Sequence, residues 1–309
     1  MQKKHERFPK LYISPKVAPY LFILPFFIAF LMFQAFPILF SFFLSFQKWN
    51  GMQPFTFNGL KNYIYLFRDK IFWWTLGFNL QLLLITIVPL HILSILFAVM
   101  LNSSLIRLKT IFKTLFFLPY ITSAAVIAIV FWLLYAKNGL INILLQKYFS
   151  SVFDFLNIRL PIDFYMVWPD RNIFVFSLSF LLIWKFIGWN IILYFTALQG
   201  IPGSYYEAAK VDGANWFQIL TKITLPLIKP MMYFAVTMSV IYIMQVFDEP
   251  TILLSSNVIT SFGGLTMVIY LFNQAFTHMN FGIAAAISYI LFFLILAITR
   301  ILKLIFKER

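Results

Sequence analysis

No cysteine occurs among the 309 residues, which excludes disulfide bonds and thiol catalysis. Histidine is nearly as scarce, with three in the chain. His91 and His278 have no companions at metal-ligand spacing, so no metal site is expected, and His91 is expected to bond a neighbouring helix. No G-x-x-x-x-G-K-[ST] run is present, so the chain has no P-loop with which to hold ATP phosphates. Charged residues make up only 11% of the chain, and ten residues are acidic. No carboxylate is expected deep in an apolar run and no inverted repeat is evident, which argues against the main competing reading, an ion-coupled secondary transporter. A membrane-embedded enzyme would need a clustered nucleophile, base or metal site, and no such cluster is found.

What is present in excess is apolar surface. Hydrophobic residues are 62% of the chain and the mean hydropathy is +0.88, values of an integral membrane protein whose partner is lipid. The 40 phenylalanines are read as filler of lipid-facing positions. A spanning helix needs about 20 mainly apolar residues. Runs of that kind lie at Val17–Gln47, Ile71–Ile106, Thr114–Ala136, Asn172–Gln199, Pro230–Phe247 and Asn280–Thr299. The expected fold is therefore an all-α integral membrane protein with six transmembrane helices. It forms a single membrane domain over 1–309, with a first helix at 17–47 and a core at 72–303 that includes a loop at 199–229. The first run is too long for the apolar region of a signal peptide and is read as an uncleaved helix. Leu265–Thr277 is helix-like but too short to cross, and is expected at an interface or as a partial insertion.

Six spans put both termini on one side. Lys and Arg number fifteen on that side and eight on the other, so both termini are expected in the cytoplasm of a cell membrane. The net charge of +14 is therefore read mainly as a topology signal, and no nucleic-acid partner is expected.

Between the fourth and fifth runs lies SYYEAAKVDGANWFQILTKITLPLIKP, from Ser204 to Pro230. Ser204 and Glu207 have capping-box spacing and predict a helix over Tyr205 to Asp212. Gly213 stands where a left-handed residue would end it, and Asn215 with Gln218 repeats the cap for a second helix. Trp216, Ile219, Leu220 and Ile223 recur at helical spacing, and Pro226 and Pro230 are expected to break the second helix. The loop reads as a helix-turn-helix elbow on the cytoplasmic side, and Ala208 and Ala209 leave room for close approach by another body.

Glu207-Ala208-Ala209, then Gly213, then Ile223-x-Leu225-Pro226 resembles the EAA loop of ABC importer permeases. The stretches Leu118–Asn142, FDEP at Phe247–Pro250 and Asn280–Phe292 resemble the malF-like, sugar-importing branch in particular. The resemblance implies a bacterial inner-membrane permease that works with a second permease subunit, two ATPase subunits or domains and an extracellular solute-binding protein. ATP and Mg would then be held by the partner ATPase, with no cofactor in this chain, and the cargo would be a di- or oligosaccharide. It also implies that Glu207, Ala208, Ala209, Asp212, Gly213, Ile223, Leu225 and Pro226 form the ATPase-docking element.

A sugar path needs aromatic faces and directional hydrogen bonds. The fourth run offers Trp184, Trp189, Asn190 and Tyr194, and the fifth offers Ser239, Tyr242 and Gln245. Lys185 is a charge near mid-span and is expected to face protein or water rather than lipid. Asp248 and Glu249 are adjacent, so they point apart on a helix and are read as a helix-end or gate feature rather than an acid/base pair.

Overall fold

The computed structural model describes residues 14, 16–103, 106–136, 138–144, 147, 171–254 and 266–306. The basic N-terminal cluster, most of the segment between 137 and 171, and Gly263-Gly264 lie outside them. Besides a short helical stretch at 140–144, the described chain is carried by helices named here in chain order. They are α1 (Ala18–Ser45), α2 (Lys61–Arg68), α3 (Lys70–Asn102), α4 (Lys109–Ile121), α5 (Ala124–Tyr135), α6 (Arg171–Gln199), α7 (Gly203–Val211), α8 (Trp216–Leu227), α9 (Lys229–Met244), α10 (Asp248–Leu253), α11 (Met267–Phe272, continued by a π-turn at Asn273–Thr277) and α12 (Phe281–Ile305). A two-residue ladder, Gln47–Lys48 against Thr56–Phe57, is the small exception to an all-α architecture among the described residues.

Among the described residues five stretches are long and apolar enough to cross a membrane, namely α1, α3, Ala124–Leu144 starting with α5, Phe174–Gln199 within α6, and α12, or six when α8 and α9, bent by 71°, are taken as one broken span. The third span departs from expectation. Instead of one helix over Thr114–Ala136, α4 starts earlier at Lys109 and stops at Ile121; Thr122 and Ser123 are extended, and α5 restarts at Ala124. Pro119 removes one helical N–H just before the break, which a hydropathy window does not register.

The two longest helices, α3 and α6, form the centre. They are apolar along most of their contact and joined by Thr86 to Ser179 at 3.0 Å and by His91 Nδ1 to the Tyr194 hydroxyl at 2.7 Å. His91 thus bonds the neighbouring helix, as its isolation in the sequence suggests. Asn79, fully buried on α3, donates to the Met244 carbonyl at 2.9 Å and accepts from the Met267 N–H at 3.0 Å. One side chain therefore satisfies two backbone groups freed where α9 ends and α11 begins.

Helix α1 packs little on the rest of the chain, with only Leu44 and Ser45 at its far end buried. Its second half rests on α12, where the Tyr289 hydroxyl donates to the Ile38 carbonyl at 2.5 Å and the Phe42 and Tyr289 rings lie 4.9 Å apart. The first half leaves its side chains outward, as suits a helix bathed in lipid.

Helix α4 crosses α6 at Gly188, where a Cβ would come within 1.8 Å of the Phe116 carbonyl oxygen. Only glycine permits that approach. Gly188→Ala is expected to push α4 off α6 and cost about 1–3 kcal/mol. Thermal denaturation of the purified chain checks this, and an unchanged melting temperature would show that the crossing can relax.

Candidate functional site

Two regions carry the candidate residues: the elbow between α6 and α9, and a cavity where α4, α6 and α9 meet.

In the elbow, the turn is built as the sequence predicts. Gly213 has φ +74°, its N–H donates to the Lys210 carbonyl at 3.1 Å, and the Ala214 N–H reaches back to Ala209 at 2.9 Å. This pair of bonds is a Schellman closure. Asn215 then caps α8, its Oδ1 accepting from the Gln218 N–H while the Gln218 Oε1 accepts from the Asn215 N–H, both at 2.9 Å. The first cap is a correction. Helix α7 begins at Gly203, Pro202 occupies its N-cap, and no side chain caps it. The Tyr205 N–H already bonds to the Pro202 carbonyl, so Ser204 is helical and cannot take the extended backbone that a capping serine needs.

Glu207 and Ala208 are therefore exposed mid-helix, whereas Ala209 is buried under the turn. Asp212 is exposed at the helix end. The Tyr206 hydroxyl lies 3.4 Å from Thr224 Oγ1 and ties α7 to α8. Ile223 and Leu225 are half-buried, Ile223 in a π-turn at Leu220–Thr224. Pro226 does not break the helix; it sits in the first turn after the π-turn, and the bend comes at Ile228, where Pro230 opens α9. Around the turn the elbow exposes Tyr205, Val211, Trp216 and Phe217.

The cavity has a volume of about 410 Å³ and is lined by Tyr120, Phe186, Trp189, Ser239, Tyr242 and Gln245 with Thr86, Phe234 and several aliphatic side chains. Tyr120 and Trp189 stack with centroids 4.9 Å apart and planes 16° from parallel. Phe186 bridges from Tyr120 to Tyr242, whose centroid is 4.1 Å away. The arrangement offers ring faces beside hydroxyl and amide groups, a surface suited to a solute with both C–H faces and hydroxyls.

Of the residues expected to line such a path, Trp189, Ser239, Tyr242 and Gln245 come together. Trp184, Asn190 and Tyr194 do not. Trp184 lies 5.3 Å from the Phe131 ring on another side of α6, Asn190 is buried and donates to the Phe186 carbonyl, and Tyr194 is buried against His91. Trp184 points to the opposite side of α6 from 186 and 189, Asn190 shares the Phe186 face but spends its amide on the Phe186 carbonyl, and Tyr194, a turn further on, is turned to His91 of α3. Tyr120 and Phe186 are cavity residues that the sequence did not single out. Tyr120 lies in the Leu118–Asn142 stretch that resembles the sugar-importing branch, whereas Phe186 is one apolar residue in an apolar run.

Lys185 lies behind the cavity wall, with its side chain 7% exposed. It faces protein, as expected. Its partner is the correction: Glu249, 1% exposed, accepts from Lys185 Nζ at 2.6 Å. Asp248-Glu249-Pro250 does not close the fifth span, because α9 ends at Met244 and α10 begins anew at Asp248, turning Glu249 inward and Asp248 out. The chain thus does hold a buried carboxylate, in an ion pair. The Tyr242 hydroxyl completes the group, donating to Glu249 Oε1 at 2.8 Å and accepting from Lys185 Nζ at 3.2 Å. Among the described residues no cluster of three His, Cys, Asp or Glu could hold a metal.

Comparison with known proteins places these features in context. Residues 91–307 match the family model of the binding-protein-dependent transport system inner membrane component. The arabinooligosaccharides transport system permease protein AraP of Bacillus subtilis (strain 168) is 34% identical over 293 residues, covering 94% of this chain and 89% of the relative. The trehalose/maltose transport system permease protein MalF of Thermococcus litoralis is 29% identical over 287 residues, 91% and 90% of the two chains. A solved bacterial alginate ABC transporter, in complex with its alginate pentasaccharide-bound periplasmic protein, has a chain with the same fold, at a TM-score of 0.73 and 24% identity over 93% of this chain and 92% of that one.

Proposed function

The chain belongs to the family of binding-protein-dependent transport system inner membrane components, and from that premise we propose that it carries a di- or oligosaccharide through the cavity between α4, α6 and α9. The observation that carries the reading is the box of Tyr120, Trp189, Phe186 and Tyr242 with Ser239 and Gln245 at its edge. A polyhydroxylated solute leaving water must regain its hydrogen bonds, since an unpaired hydroxyl costs about 2–7 kcal/mol in an apolar medium. Ring faces cover its C–H surface, and the polar edge replaces water.

The elbow is proposed as the contact for an ATPase. Its exposed Glu207 and Ala208 and its apolar tip offer a body that moves as one piece, because Tyr206 and the Schellman turn lock α7 to α8. ATP and Mg would be bound by two ATPase subunits or domains, and a second permease subunit and an extracellular solute-binding protein would complete the assembly. Relatives that transport arabinooligosaccharides and trehalose or maltose support the sugar class. The test is uptake by the reconstituted complex with competition among labelled arabinotriose, lactose, maltose and trehalose. Saturable uptake of one of them, competed by its own kind and not by an amino acid, supports the reading; failure of every saccharide to be carried overturns it.

Both termini are proposed to be cytoplasmic, from the excess of Lys and Arg on that side. Because the chain has no native cysteine, Gln2→Cys and Glu308→Cys can be labelled without background. Each is expected to react with a membrane-impermeant maleimide only after the membrane is opened. Labelling in intact cells would invert the topology and move the elbow to the wrong side for an ATPase.

A further inference from the structure

The Lys185–Glu249–Tyr242 group is buried, charged and set one ring behind the cavity. The Lys185 ammonium lies 5.3 Å from the Phe186 ring centroid and 5.5 Å from that of Tyr242, and both rings line the cavity. A charge in so apolar a place is costly, and a hydrophobic pair would fill the space at no such cost. Holding the helices together does not require it. The inference drawn from its position rests on the sugar-path reading above.

We infer that Glu249 is a specificity-determining positioning residue, which cancels the Lys185 charge behind the cavity wall so that the site suits uncharged saccharides and offers acidic ones no charge to offset their desolvation. The hydrogen bonds have the direction this requires. Tyr242 donates its one hydroxyl proton to Glu249 and accepts from Lys185, so its hydroxyl is committed to the pair and its ring is left to the cavity. Glu249 comes from α10, sixty-four positions from Lys185, and enters the site only because the chain leaves α9 at Gln245 and turns back. With both charges present the wall is electrostatically neutral toward a bound solute. Remove the carboxylate, and the remaining ammonium stands unneutralised behind the two rings that line the cavity.

An unpaired ammonium about 8 Å from a bound carboxylate, at an effective dielectric of about 20, changes affinity by more than about tenfold. The experiment uses the full complex, with its second permease and ATPases, in nanodiscs and without the solute-binding protein, whose own selectivity would mask the effect. Equilibrium binding is measured for labelled arabinotriose, lactose and maltose as neutral probes and digalacturonate as the acidic one. Wild type is expected to bind at least one neutral probe and to bind digalacturonate more weakly. Glu249→Gln is expected to move the acid-to-neutral affinity ratio by about tenfold or more toward the acid. The double variant Lys185→Met with Glu249→Gln is expected to return the ratio to near the wild-type value, because both charges are gone.

Lys185→Met alone leaves the carboxylate and must push the ratio the other way, so either single variant reads the charge if the other does not assemble. A merely structural role would lower all affinities together and leave the ratio still. That unchanged ratio in the single variants, or an acid gain that persists in the double variant, overturns the inference while leaving the sugar path intact. Wild type binding none of the neutral probes removes the sugar-path reading and the inference with it.

Discussion

Gly213→Pro is expected to leave the chain inserted in the membrane and to cut substrate-stimulated ATP hydrolysis by the assembled complex by about tenfold or more. Gly213 has φ +74°, a value proline cannot reach, and its N–H donates to Lys210, a bond proline cannot make. Losing both costs about 3 kcal/mol or more at a position where the chain reverses. The Ala214 to Ala209 bond depends on the same turn and must open with it. Helix α8 then leaves α7 in another direction, and Trp216 and Phe217 no longer stand in register with Glu207 and Ala208. Gly213→Asn is the control, because asparagine tolerates the left-handed region, and it should retain most of the coupling. Glu207→Ala should act in the same direction through loss of a contact alone, since Glu207 is exposed and caps nothing. ATPase copurification and hydrolysis are measured for all three; wild-type binding and coupling in Gly213→Pro would show that the elbow is not the docking element.

The elbow also shows how far local pattern carries. Asn215-x-x-Gln218 and Ser204-x-x-Glu207 have the same spacing, yet only the first forms a capping box. The difference lies in what precedes each. Asn215 follows a left-handed glycine turn that leaves it extended, whereas Ser204 follows Pro202, whose carbonyl already accepts the first helical bond. The third span fails for a related reason: hydropathy sums side chains and does not see that Thr122 and Ser123 are extended. The π-turns at Leu31–Ala35, Leu220–Thr224 and Asn273–Thr277 likewise leave no mark in composition.

The site was legible where one helix face decides it and illegible where the chain must fold back. Ser239, Tyr242 and Gln245 follow one another at helical spacing and do reach one cavity. Lys185 was legible as an interior charge because lipid would not tolerate it. Glu249 was not legible as its partner, because it belongs to a helix whose direction is set by a break at Gln245 and Val246 and by Thr266 bonding back to the Val246 carbonyl at 3.1 Å. Tyr120 joins the cavity for a reason that lies in Gly188: the close crossing of α4 over α6 brings its ring onto Trp189.

That crossing makes Trp189 the side chain on which the second large effect is expected. Trp189 stacks on Tyr120 and lines the cavity, while the residues around it on α6 are committed elsewhere, Asn190 to a backbone carbonyl and Gly188 to the crossing. A ring face that covers about 60 Å² of a sugar's C–H surface contributes about 1.5 kcal/mol, roughly tenfold in affinity. Trp189→Ala removes that face and also frees the Tyr120 ring to move, so its effect on uptake should exceed tenfold, with about a hundredfold as the upper range if both faces are lost. Trp189→Phe keeps one ring and should recover much of the loss. Tyr242→Ala should be at least as severe, because it also strips the Lys185–Glu249 pair of its shared hydroxyl, whereas Gln245→Ala, at the exposed edge, should cost less. Elbow geometry is untouched by all of them, so ATPase copurification should stay at the wild-type level. Uptake and complex assembly measured side by side separate the outcomes: wild-type transport and selectivity in Trp189→Ala, Tyr242→Ala and Gln245→Ala would assign the sugar path to the partner subunit and leave these rings as helix packing.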